Sequence, residues 1–326
     1  MVGIPLPQNS VFSPAAAGGT ADNVFDMTME TIPGPTRPMQ FVVIGAGSMG
    51  CVYGGNLARI GQHVTFIDVW QDHVDSIRVN GLSLEGLTGN FTVRVQATTD
   101  AGEAPQADAV LICVNAYDTP QAARSAAAVI KDDGFCLTLQ NGVGNIEVLT
   151  DALGPRRVLA GLSFQSGDLQ GPGRVRHTNN GPTYLGELDR SRSERLMLLN
   201  ELFGQAGLNP VLVDDVIVTI WSKFVHNCGI NAICALTGLP PGYISQVSEL
   251  DDLQTKIIEE AAALVRAKGI SLPDSDPVRT IKGVLQSQVP QTVDDAAPGA
   301  RAANGNRRIE WLRGSRERQA GPCRSL

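Results

Sequence analysis

Three groups of residues have types and spacings that could do chemistry. The first is Gly45-Ala46-Gly47-Ser48-Met49-Gly50, which follows an apolar run directly and opens a helical pattern over 49–60. In a strand–loop–helix unit each glycine has its own task. Gly45 permits the tight turn, Gly47 lets backbone approach a pyrophosphate, and Gly50 allows close helix–strand packing. The helix N-terminus adds N–H donors and a positive dipole end. A second strand ends in Asp68, 18 residues after Gly50. A carboxylate there accepts a hydrogen bond from a free ribose 2′-OH and repels a 2′-phosphate, which favours NAD(H) unless Asp68 points elsewhere. A dinucleotide site at Gly45, Ala46, Gly47, Ser48, Met49, Gly50 and Asp68 is therefore expected.

The second group is Lys223, Asn227 and Asn231, spaced i, i+4, i+8 in the apolar segment VIVTIWSKFVHNCGINAICAL (216–236). On one continuous helix they share a face. Burying a lysine is costly unless it is paired or faces a wet cleft. The polar row therefore reads as ligand-facing. Lys223 is the natural proton donor to a carbonyl oxygen that becomes an alkoxide on hydride attack. His226 lies off the row and reads as packing or surface. The third is Asn141, followed by Gly142 at the end of an apolar strand. Ligands sit at the carboxyl ends of strands in open α/β sheets, so Asn141 can face nicotinamide or substrate, although Asn-Gly is also a plain turn signal.

The elements that must position these residues are legible as short apolar runs. Phe41–Ile44, Val64–Ile67, Ala109–Val114 and Phe135–Leu139 alternate with helix-like segments. That alternation predicts a doubly wound parallel sheet covered on both faces. Residues 158–187 read as irregular antiparallel strands. A long helix is expected from Asp214 or Asp215 to near Gly238. A second, over Leu250–Lys268, would pack through Leu253, Ile257, Ala261, Leu264 and Val265, with Gly269 as C-cap. The fold class is thus α/β: an N-terminal Rossmann domain over 39–213, then an all-helical domain over 214–290. Residues 1–38 hold six of the 19 prolines, one Arg and no Lys, and read as a disordered leader, either an extension upstream of a natural start at Met39 or a flexible leader of the protein itself.

Composition excludes several classes. The 326 residues are 43% apolar and 18% charged, which suits a globular protein with a sizeable core. No apolar run is long enough to span a membrane. The net charge of −7 gives no general footprint for nucleic acid. Six scattered cysteines without a CxxC pair read as reduced core thiols of a cytoplasmic protein, not as a metal site. The sum hides a split: residues 301–326 carry seven Arg against Glu310 and Glu317, or +5, leaving −12 elsewhere.

The segments MQFVVIGAGSMG (39–50), LQNGVGNIEVL (139–149), PGRVRHT with YLGE inside 161–187, and WSKFVHNCGIN (221–231) together resemble the ketopantoate reductase (2-dehydropantoate 2-reductase) family. The resemblance covers about 39–290. It implies NADP(H)-dependent reduction of a small 2-oxoacid, 2-dehydropantoate, to pantoate on the route to coenzyme A. It also implies Lys223 as general acid, Asn227 and Asn231 on substrate, and Asn141 between substrate and cofactor. A homodimer stays open, as does a related 3-hydroxyacid dehydrogenase that also uses a cleft lysine. The 139–149 segment and the Asn227/Asn231 pair favour the first reading.

Three departures stand out. Asn115 occupies a place where the family often has Lys. Asp68 argues for NAD(H) against the family's NADP(H). The family's later Ser and Glu, in a pattern like SMLQD…TEIDALNG, are missing from 290–326. Codons allowed for Gln291–Leu312, read one base later, can spell KPSMMQHLEQGRQTEIDALNG. The expectation is a frameshift near Gln291 that leaves the helical domain truncated or altered, with 291–326 an aberrant, disordered tail. The alternatives are a basic tail that binds anions and a catalytically impaired nucleotide-binding protein.

Overall fold

The structure, a computed structural model, describes residues 38–286. The expected leader, apart from Pro38, and the expected aberrant tail lie outside the described residues.

Strands β1 (Gln40–Ile44), β2 (His63–Ile67), β3 (Leu82–Gly86), β4 (Phe91–Val93), β5 (Gln96–Thr98), β6 (Ala107–Ile112), β7 (Ile130–Thr138), β8 (Val158–Gly171), β9 (Arg174–Glu187) and β10 (Pro210–Leu212) form one sheet. Its order is β4-β3-β9-β8-β7-β6-β1-β2-β5, with β10 beside β9. From β5 through β8 every pairing is parallel. Antiparallel pairing occurs at β8–β9 and β3–β4. The segment expected to be irregular is a hairpin of two 14-residue strands, interrupted by register shifts.

Helices α1 (Ser48–Arg59), α2 (Gln71–Asn80), α3 (Thr119–Val129), α4 (Asn145–Leu153) and α5 (Glu194–Gln205) accompany the sheet. The pleat of β1 shows why both faces are covered. Phe41 and Val43 join a core with α1, α2 and α5, while Val42 and Ile44 join a second core with α3 and α4. The chain leaves β1 toward β2, then returns to β6 on the other side. This reversal is the topological switch point at which open α/β sheets bind ligands.

Helices α6 (Val216–Cys228), α7 (Asn231–Thr237), α8 (Ser248–Ala267) and α9 (Pro277–Gln286) follow. Trp221 and Val225 of α6, Ile258, Ala262 and Val265 of α8, and Ile281 and Leu285 of α9 form a third core. No helix among the described residues is long and apolar enough to cross a membrane.

Two expectations about these helices are corrected. The segment to Gly238 is not one helix. It breaks at Gly229–Ile230, where Ile230 leaves helical geometry (φ −125°, ψ −56°). The Gly229 carbonyl, which a continuing helix would use internally, instead accepts from Gln254 Nε2 at 2.9 Å. A Cβ on Gly229 would lie 2.6 Å from Ile258 Cγ1, so glycine lets α8 approach here. Asn231 therefore begins α7 and does not extend the row of Lys223 and Asn227. The second correction concerns the packing face of α8. Ala261 and Val265 are buried as expected, but Gln254, Ile258 and Ala262 join them, whereas Leu253 and Leu264 are 46% and 45% exposed. The need to place Gln254 and Ile258 on Gly229 rotates the face by about 100° relative to the largest side chains.

Gln254→Ala should lower unfolding stability by about 1–3 kcal/mol, because it strands a buried carbonyl. Leu253→Ala should change it by no more than about 0.5 kcal/mol. Urea unfolding followed by circular dichroism separates the two, and equal losses would contradict this register of α8.

Candidate active site

The loop between β1 and α1 has the geometry that its glycines call for. Gly45 sits at φ +96°, and a Cβ there would lie 2.8 Å from the Val114 backbone nitrogen. A Cβ on Gly50 would lie 1.9 Å from the Gly45 carbonyl oxygen. Both positions are thus glycine for reasons internal to the protein. Gly47 differs. Its backbone (φ −65°, ψ −171°) suits any residue, and a Cβ would meet no atom within 4 Å. Neither strain nor packing asks for glycine here, and close approach of a ligand to the backbone does. No side chain caps α1 and no acid lies in its first turn, so the N–H groups at Ser48, Met49 and Gly50 keep the donor character of a helix N-terminus. The loop fits a dinucleotide pyrophosphate.

Asp68, half-buried at the end of β2, braces this loop. Its Oδ2 accepts from the Ala46 N–H at 2.6 Å and its Oδ1 from the Trp70 N–H at 2.9 Å. It faces the loop, as the ribose role requires, but it has a structural task that its position in the sequence did not announce. Ala46 is held through that bond.

Lys223 projects from α6 onto β8. Its Nζ donates to the Ser163 carbonyl at 2.6 Å and lies 4.8 Å from the Phe164 ring centroid. Burial disfavours the charged form and pulls its pKa down to about 8. Ser163 is itself fixed, because the Tyr53 hydroxyl of α1 donates to Ser163 Oγ at 2.7 Å and also meets Thr183 Oγ1 at 2.7 Å. Close packing of β8 on α1 continues at Gly167, where a Cβ would lie 3.1 Å from Val52 Cγ2 and 3.6 Å from Ser48 Cβ. The lysine is thereby referred to the same helix whose N-terminus forms the glycine loop.

The asparagines are placed unequally. Asn227 is half-buried one turn beyond Lys223 and hydrogen-bonds His226. Burial, with a smaller contribution from the Lys223 charge, holds His226 below its ordinary pKa. Asn231 is exposed at the start of α7. Asn141 is exposed on the loop after β7, where Gly142 takes φ +91° and Asn145 Nδ2 donates to the Asn141 carbonyl. Asn115, in the place of the family's frequent Lys, donates to the Tyr117 hydroxyl at 2.9 Å.

A cavity of about 460 Å³ separates the loop after β7 from the first turns of α6. Gly142 and Val143 form one wall, Ile217, Ile220 and Trp221 the other, and Lys268 the rim. Sequence reasoning missed these wall residues, because apolar positions on α6 read as ordinary core. Lys223 lies off this wall. The usable signal was that Trp221 adjoins the polar row.

Gly47→Ala should leave the melting temperature within about 2 °C of the parent while weakening dinucleotide binding about tenfold or more. Gly50→Ala should lower both. Differential scanning fluorimetry with and without cofactor reads the contrast, and unaltered binding by Gly47→Ala would remove the pyrophosphate from this loop.

Two family models match the chain: Ketopantoate reductase PanE/ApbA over residues 41–190, and Ketopantoate reductase PanE/ApbA C terminal over 215–296. The chain is 30% identical to the 2-dehydropantoate 2-reductase of Pyrococcus horikoshii over 76% of its own length and 80% of that protein. It is also 30% identical to the corresponding enzyme of Halobacterium salinarum over 81% and 88%. Among solved structures, a PanE/ApbA family ketopantoate reductase from Ralstonia eutropha JMP134 is similar at 32% identity, with 86% and 91% of the two chains covered and a TM-score of 0.70. A D-mandelate dehydrogenase solved with NADH and anilino(oxo)acetate shares the fold at 23% identity, 80% and 83% coverage and a TM-score of 0.70.

Proposed function

Since this chain belongs to the ketopantoate reductase family of nicotinamide-dependent oxidoreductases, we propose that it reduces 2-dehydropantoate to pantoate with Lys223 as general acid. The observation that carries this reading is the state of Lys223. Its ammonium is half-buried, rests on a backbone carbonyl, and has no carboxylate in ion-pair distance among the described residues. A lysine so placed gives up its proton more readily than a solvated one, and its donors are free to turn toward a substrate oxygen.

The Gly45–Gly50 loop would hold the pyrophosphate of a nicotinamide dinucleotide, which when bound would supply the hydride. The substrate's carbonyl oxygen lies at Lys223 Nζ. As that oxygen gains negative charge, the ammonium stabilises it and then delivers a proton, leaving the neutral amine. The amides of Asn227 and Asn231, on either side of the break at Gly229–Ile230, and of Asn141, across the cleft on the loop after β7, orient the carboxylate and hydroxyl of the substrate.

Reduction needs the protonated lysine, so its rate should be level below pH 8 and fall about tenfold for each pH unit above the pKa of about 8. Lys223→Met should lower kcat by about 10²–10⁴ and leave cofactor affinity within about threefold. Steady-state rates with 2-dehydropantoate across pH 6–10 test both. A rate that stays level to pH 10 would remove Lys223 from the proton transfer.

A second reading concerns the chain as written. The codon reading that restores a Ser and a Glu from Gln291 onward favours a displaced frame, and a chain lacking those groups should bind dinucleotide yet turn over weakly. Resequencing codons 285–315, and assaying a chain carrying KPSMMQHLEQGRQTEIDALNG from position 291, tests it. Recovery of turnover by about tenfold or more is expected. Equal turnover of the two chains would contradict it.

A further inference from the structure

We propose that this chain selects NAD(H) over NADP(H), because the end of β2 offers a ribose hydroxyl an acceptor and offers a 2′-phosphate no cation. The proposal rests on the reading that Gly45–Gly50 holds a nicotinamide dinucleotide.

The acceptor is immobile. With one carboxylate oxygen on the Ala46 N–H and the other on the Trp70 N–H, Asp68 cannot swing away from a phosphate without releasing the loop. Each oxygen still has a lone pair for a hydroxyl donor. A 2′-phosphate would meet a fixed like charge.

Among the described residues, compensating cations are missing from the surroundings. Val69, the next residue, is 96% exposed and carries no charge. Trp70 follows, stacked on the His73 ring at 5.3 Å between centroids. No Lys or Arg occurs at 60–77 or at 95–123, the stretches that hold the end of β2, the start of α2, β5, and the loop after β6. Acids stand there instead, with Asp72 in the first turn of α2 and Asp100 and Glu103 just after β5. Arg78 lies in the last turn of α2, about 10 Å farther along the helix. Arg94 is at that same far end, donating to the Val79 carbonyl at 2.7 Å. His73 is no substitute. Its Nδ1 accepts from the Gly173 N–H at 3.0 Å, and burial holds its pKa below the usual value, so the ring is neutral.

The test is isothermal titration calorimetry of the full chain with NADH and with NADPH, which needs no turnover. NADH should bind at least about tenfold tighter. Val69→Arg adds a cation at a side chain that packs on nothing, so it should spare the fold. It should tighten NADPH about tenfold or more while leaving NADH within about threefold. NADPH binding as tightly as NADH to the parent chain would overturn the proposal. An NADH preference that Val69→Arg does not narrow would place the discrimination away from this strand end and overturn the assignment. Binding of neither dinucleotide would instead sink the reading of the glycine loop, a distinct failure.

Discussion

The ammonium of Lys223 is inserted where an apolar helix meets the sheet, and the bond it makes there ties the site together. Removing a charged amine from water is unfavourable, and the Ser163 carbonyl with the face of Phe164 offsets only part of that cost. The residual imbalance appears as a pKa near 8. The same contact makes a mechanical joint. Ser163 belongs to β8, is tied by Tyr53 to α1, and receives Lys223 from α6. The helix that starts at the glycine loop and the helix that carries Lys223 are thus indexed to one residue.

At the other side of the cleft, rigidity comes from close backbone approach. Gly45 and Gly50 let the end of β1, the end of β6 and the start of α1 share space that a single methyl group would fill. Asp68 then ties the loop to the end of β2. The result is a set of helix-terminal donors held in place before any ligand arrives, which is what binding of a charged pyrophosphate by backbone requires.

Much of this was legible in the sequence because the signals were local. The four central strands read as apolar runs, and the glycine loop and Asp68 fell where a strand–loop–helix unit puts them. What escaped depended on contacts between distant residues. The break at Gly229–Ile230 is set by Gln254, 25 residues away, which captures the Gly229 carbonyl. Periodicity alone joined Asn231 to the row of Lys223. Ala261 and Val265 were placed correctly on the packing face of α8, but the large residues Leu253 and Leu264 drew attention from Gln254, Ile258 and Ala262, which are buried there. Asp68's bond to Ala46 and Tyr53's bond to Ser163 likewise pair residues on different elements. Family membership confirmed the fold and the reductase class, and the geometry supplied the reasons for individual residues.

Lys223 is a half-buried amine whose pKa burial pulls down to about 8. The most direct measurement is an NMR titration of the lysine side chains in the intact protein, with Lys223 assigned by its loss in Lys223→Met. Lys223 should titrate near pH 8, well below the ordinary lysine value of 10.5. Titration of Lys223 above pH 10 would contradict it.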